Sequence, residues 1–116
     1  MNRLAFISAI ILMLAGFYFS YTKKVEIIYF YDERCVISNM TDEIIDEIEA
    51  EFGDRVRIKR VNAFNPEGED KVLVKRFDVK GVPVIVIDGR IYPYEYNYTI
   101  FKNEVCKRFV FKPEKC

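Results

Sequence analysis

Val25-Glu26-Ile27-Ile28-Tyr29-Phe30-Tyr31-Asp32-Glu33-Arg34-Cys35-Val36-Ile37-Ser38 is the stretch that decides the fold. Its first half is a β-branched and aromatic run of strand length, too apolar for a strand with one face in water, and so predicts a central strand. Asp42 to Phe52 follows with Ile44, Ile45, Ile48 and Phe52 on one face and Asp42, Glu43, Asp46, Glu47 and Glu49 elsewhere, the period of an amphipathic helix. Gly53 is a helix stop. Arg55 to Val61 then alternates Arg55, Arg57 and Lys59 with Val56, Ile58 and Val61, allowing one break at Arg60, and predicts a second strand. Strand, crossover helix and strand make a parallel βαβ unit, with a right-handed connection expected.

Further along, Asn65-Pro66-Glu67 offers a cap, a proline suited to the first helical position and an acid at the positive helix end. These predict a short helix running to about Phe77, although Gly68 weakens its first turn. Val84 to Ile87 is a short apolar strand. Asp88-Gly89 before Arg90-Ile91-Tyr92 signals a tight hairpin. Asn97 can cap a last helix in which Tyr98, Phe101, Val105 and Phe109 recur on one face. The order is βαβ followed by αββα, with no internal repeat.

Ahead of this domain, Leu4 to Tyr21 is an uncharged run that as a helix extends roughly 27 Å at about 1.5 Å per residue, close to the thickness of a hydrocarbon core. Arg3 precedes it, Lys23 and Lys24 close it, and Tyr18 and Tyr21 sit where amphipathic rings favour an interface. A cleavable signal peptide competes with this reading, but no Ala-x-Ala site is present. The expectation is a single-pass anchor over residues 1–22 and one domain over residues 23–116. The flanking charges balance and leave the orientation open.

Composition excludes several functions. Lys plus Arg and Asp plus Glu number 18 each, and removing Arg3 leaves the domain one acid in excess, so nucleic acid is not an expected partner. There is no His, and three scattered Cys cannot close a tetrahedral zinc site, so neither metal nor other cofactor is expected. The absence of Trp and Gln beside abundant Lys, Glu, Ile and Val suits a hot environment.

The strand leading into Cys35, the Asn65-Pro66-Glu67 segment and Gly81-Val82-Pro83-Val84 before the hairpin together resemble the thioredoxin-like superfamily across nearly the whole domain. The resemblance implies an α/β thioredoxin-like fold, a four-stranded mixed sheet flanked by helices. It implies a nucleophilic cysteine at the start of the first helix, matched by Cys35, and a cis-proline loop facing it, matched by Pro83. The backbone at Val82 would then pair with an extended substrate. The plainer alternative is that Gly81-Val82-Pro83 simply opens a strand, where proline is tolerated. Amide groups and the dipole at a helix N-terminus favour a thiolate. Arg34 would add to this while Asp32 and Glu33 oppose it, which leaves the sign of the shift open.

Ser38 departs from the family's dithiol pattern, in which a second cysteine resolves the mixed disulfide. A serine can cap the helix and donate to the Cys35 thiolate, but it cannot resolve. Single-thiol glutaredoxins also carry a serine there, yet Val36 and Ile37 do not match their Gly-Phe. Two functions are therefore expected. One is thiol-disulfide exchange through Cys35 alone, in mixed-disulfide or isomerase-like chemistry, with protein thiols and disulfides or an external thiol reductant as partners. The other is a redox-inactive peptide- or protein-binding module, with Tyr92, Tyr94, Tyr96 and Tyr98 as a candidate surface.

The ending Val105-Cys106, Phe109, Pro113 and Cys116 is similar to that of some extracytoplasmic thioredoxin-like proteins whose last two cysteines are bonded. A Cys106–Cys116 disulfide would place the domain outside the cytosol. Alternatively, Cys106 is a small core residue and Cys116 a free thiol. A remaining arrangement makes Cys116 a distant resolving partner of Cys35.

Overall fold

The computed structural model describes the backbone of residues 2–92 and 97–116; the side chains at residue 2 and residues 16–22 lie outside what it describes. Tyr94 and Tyr96 of the candidate tyrosine surface fall outside the described residues, as do the side chains of Tyr18 and Tyr21. The chain forms α1 (Asn2–Thr22), β1 (Val25–Tyr31), α2 (Val36–Phe52), a 3₁₀ turn (Gly53–Arg55) and β2 (Val56–Asn62). It continues through α3 (Glu69–Arg76), β3 (Val84–Ile87), β4 (Arg90–Tyr92) and α4 (Tyr98–Arg108).

The four strands form one mixed sheet in the order β2-β1-β3-β4. β1 is internal, as its apolar run predicts. It pairs with β2 in parallel from Val25↔Val56 to Tyr31↔Asn62, and with β3 in antiparallel from Ile27↔Ile87 to Phe30↔Val84. β3 and β4 close through Asp88 and Gly89, whose φ angles of 47° and 82° are the positive values a two-residue type I′ hairpin requires. Asp88 also ties the hairpin to the start of β1. Its amide donates to the Glu26 carbonyl at 2.8 Å, and its carboxylate accepts from the Glu26 amide at 2.9 Å.

The alternation of β1 divides its side chains between two cores. Val25, Ile27 and Tyr29 pack on one face with Ile45, Ile48 and Phe52 of α2 and Phe101 and Val105 of α4. Phe30 points to the other face, with Val61 and Val86 under Leu73, Val74 and Phe77. The larger core thus lies beneath α2, and α3 covers the smaller one.

α2 begins at Val36 with Cys35 as its N-cap, where the resemblance put the helix start; the amphipathic period reaches back only to Asp42 because the residues before it expose Val36, Ile37 and Met40 and lack a polar face. One helix start differs from expectation. α3 begins at Glu69 and not at Asn65-Pro66. The carboxamide oxygen of Asn62 accepts from the amides of Phe64 at 3.0 Å and Asn65 at 3.2 Å, which commits that segment to a turn. Gly68, at φ 56°, then supplies the turn into the helix that only glycine adopts without strain. Glu69 and Asp70 at the start of α3 and Lys75 and Arg76 at its end complement the helix dipole.

Among the described residues no helix is long and apolar enough to cross a membrane. The described side chains of α1 are exposed throughout and include Leu4, Phe6, Ile7, Ile11, Leu12 and Met13.

Candidate functional site

Where β1 ends, the chain makes a tight turn. The Cys35 amide donates to the Asp32 carbonyl at 3.0 Å, and the Cys35 carbonyl accepts the Asn39 amide at 3.2 Å as the first turn of α2 forms. Cys35 is therefore the N-cap residue, with φ −93° and ψ 120°, and is partly exposed. Its thiol is held below its usual pKa. The Ser38 amide facing the sulfur does most of this, with the Ile37 amide and Ser38 hydroxyl adding to it, while partial burial and the Asp32 carboxylate oppose. The sign left open by sequence thus falls on the side of the thiolate.

Arg34 does not contribute as expected. Its guanidinium donates to Asp32 at 3.3 and 3.2 Å, the Asp32 carboxylate also accepts the Arg34 amide at 3.0 Å, and the guanidinium stacks 3.3 Å above the Phe64 ring. Hydrogen bonds from Arg34 hold the Asp32 carboxyl below its ordinary pKa. Arg34 is thus engaged by Asp32 and Phe64, and the Asp32 carboxylate still opposes the thiolate.

Ser38 is fully buried. Its hydroxyl oxygen accepts the Asp32 amide at 3.3 Å, and its carbonyl accepts the Tyr29 phenol at 2.6 Å. Ser38 therefore braces the turn from below and contacts both the strand that enters it and the helix that leaves it.

Val82-Pro83 is a cis peptide bond. The β1–β3 ladder ends at Phe30↔Val84, so continuing each strand outward brings Tyr31 and Asp32 to the same end of the sheet as Pro83 and Val82. A cleft of about 190 Å³ lies there, lined by Asp32, Ala63, Phe64, Val79, Gly81 and Val82 with Lys80. Val36, Ile37, Met40 and Phe64 give this end of the molecule an exposed apolar rim. Cys35, Ser38, Val82 and Pro83 thus gather at one end of the sheet.

Cys106 and Cys116 do not join them. They are bonded to each other, with a Cα–Cα distance of 5.8 Å, so Cys116 is not held as a free resolving thiol for Cys35. Cys35 is the free cysteine.

No family model matches the chain, and no curated protein does. Solved structures do. A thioredoxin mutant from Halobacterium salinarum superposes with a TM-score of 0.60 at 18% identity, over 81% of this chain and 82% of that one. Mitochondrial thioredoxin 3 from Saccharomyces cerevisiae gives 0.55 at 20% identity, over 79% and 87%. A malarial protein gives 0.57 at 17% identity, over 77% and 100%. The fold is thioredoxin-like. At these identities the likeness carries the fold alone.

Three residues that shape this site escaped sequence reasoning. Tyr29 was indistinguishable from its apolar neighbours in β1. Phe64 carried a signal, an aromatic in the polar loop between Asn62 and Pro66. Asp32 was read only as a charge opposing the thiolate, whereas its backbone and carboxylate organise the turn.

Proposed function

We infer that this chain is a membrane-tethered thiol-disulfide exchange protein working through one nucleophile, Cys35. The observation that carries this is the position of Cys35 at the N-cap of α2, with the Ser38 amide and hydroxyl favouring its thiolate. The Cys35 thiolate attacks a substrate disulfide, forming a Cys35–substrate disulfide and releasing the other sulfur as a thiolate that takes up a proton. In one course a second thiol of the substrate attacks the substrate sulfur, forming a new substrate disulfide and returning Cys35 as thiolate, which isomerises the substrate. In the other, an external thiol attacks the Cys35 sulfur and releases the substrate as dithiol, and a second external thiol then attacks the sulfur of the first, leaving as their common disulfide and returning Cys35 as thiolate, which reduces the substrate. Ser38 holds the turn and donates toward the sulfur, and the backbone at Val82 beside Pro83 pairs with the extended substrate.

The exposed apolar side chains of α1 support its role as a single-pass anchor, and the Cys106–Cys116 disulfide supports an extracytoplasmic domain. The full chain in membranes tests the exchange reading. Wild type forms trapped mixed disulfides with protein partners and Cys35→Ala does not; equal exchange by both overturns it.

A second reading, a redox-inactive binding module, is favoured by Ser38, which is bonded and buried where a resolving thiol would stand. Its ligand would be an extended peptide lying on the rim of Val36, Ile37, Met40 and Phe64. Partner capture that survives Cys35→Ser selects this reading over exchange.

A further inference from the structure

The Cys106–Cys116 bond lies in a cleft of about 280 Å³, walled by both cysteines with Asn103, Lys107 and Lys112. Cys106 belongs to α4 and is 7% exposed, whereas Cys116 is exposed. An attacking thiolate displaces at the sulfur it can reach, which directs attack to Cys116 and makes Cys106 the leaving group. Lys107 and Lys112 are the charged side chains of its lining; Lys107 is paired with Glu104 at 3.0 Å, and Glu114 is carried on the tail itself.

Beyond α4 the tail meets the domain at Phe109, Phe111 and Lys115. Phe109 packs on Phe52 with ring centroids 5.4 Å apart, Arg55 donates to the Phe111 carbonyl at 2.9 Å, and Lys115 donates to the Glu51 carbonyl at 2.8 Å. Val110, Phe111, Lys112, Glu114 and Lys115 are exposed. A segment with so little burial depends on its covalent tie for order.

We propose that this disulfide is a second exchange site, independent of Cys35, opened by low-molecular-weight thiols that carry carboxylates and acting as the catch of the C-terminal tail. An anionic thiolate, drawn in by Lys107 and Lys112, attacks the Cys116 sulfur and forms a mixed disulfide while Cys106 departs as thiolate and is protonated. A second thiol attacks the sulfur of the bound small thiol, yielding its own disulfide and two free cysteines. Two electrons pass from two thiols to the protein. The tail beyond Phe109 is then untied, and with it the Lys115 contact at the C-terminal end of α2, the helix that bears Cys35 at its other end.

The test uses the full oxidised chain in detergent carrying Cys35→Ala, so that failure of the exchange reading leaves it untouched. Opening by reduced glutathione, which is anionic, is compared with opening by cysteamine, which is cationic. Each rate is normalised to that thiol's rate on a small uncharged disulfide, and thiols are mapped by alkylation. Expected are a preference of roughly threefold or more for glutathione, its loss in Lys107→Gln/Lys112→Gln, and faster hydrogen exchange of tail amides after opening. Equal normalised rates, a preference unchanged in the lysine variant, tail exchange unaltered by reduction, or opening only in denaturant would each overturn the proposal.

Discussion

The phenol of Tyr29, inside the central strand, donates to the carbonyl of Ser38 in the first turn of α2 at 2.6 Å, and both residues are fully buried. The core of the sheet is thereby bonded to the backbone that presents Cys35. Tyr29→Phe removes one buried hydrogen bond with little change of shape. We expect a loss of about 1 to 2 kcal/mol in denaturant unfolding, together with slower alkylation of Cys35 as the turn loosens.

Cys35 should titrate below the ordinary thiol value of about 8.5. Its alkylation rate will reach half-maximum at a correspondingly lower pH, and Ser38→Ala will move that midpoint up. A group whose folded pKa is depressed adds stability above its unfolded pKa and loses it as pH falls through the folded value. The stability gap between wild type and Cys35→Ala should therefore widen as pH rises toward about 9. A gap that narrows over that range contradicts the assignment.

Ser38→Cys replaces a small buried side chain with one of similar shape, one helical turn from the N-cap. We expect the introduced thiol to bond Cys35 on oxidation and to resolve the Cys35–substrate disulfide itself, so that the reduced variant reduces one substrate disulfide per molecule and needs an external reductant only to restore its dithiol. Alkylation mapping and a reductase assay check this. If the two thiols stay unbonded under oxidant, the turn geometry at Cys35 has been misread.

Glu51 accepts from the Lys102 ammonium at 2.7 Å and from the Tyr98 phenol, and these bonds, Lys102 first, hold its carboxyl below the ordinary range. Burial and the Glu51 charge in turn raise the Tyr98 phenol. The Glu51 contribution to stability is present above its unfolded value of about 4.3 and lost as pH falls through the folded one. Glu51→Gln should flatten the decline in denaturant midpoint between about pH 5 and pH 3.

Cys116→Ser opens a loop spanning a sequence separation of 10. The expected cost is about 2 to 3 kcal/mol in non-reducing denaturant curves, absent once wild type is also reduced.

Much of the fold was legible because β1 carries its assignment in composition, and Asp88-Gly89 and Asn97 carry theirs in turn and cap chemistry. Asn97 does accept the Ile100 amide, at 3.2 Å. The start of α3 was not legible, since Asn62 and Asn65 offer the same local chemistry and only the folded chain shows which one holds the turn. Within the site, Cys35, Ser38 and Pro83 stood out through the resemblance to the thioredoxin-like superfamily. The sign of the thiol shift did not, because it is set by the Ser38 amide, with the Ile37 amide and Ser38 hydroxyl, against partial burial and the Asp32 carboxylate, a balance of folded geometry that spacing cannot encode.

Only Lys23 and Lys24 separate the end of α1 from the first residue of β1. With α1 held in a bilayer, the chain from Lys23 to Cys35 spans at most roughly 45 Å even fully extended, and folding most of it into β1 shortens that span. The molecule would then work as a ruler of fixed length, selecting disulfides by their height above the lipid surface before any side chain of the cleft has made contact.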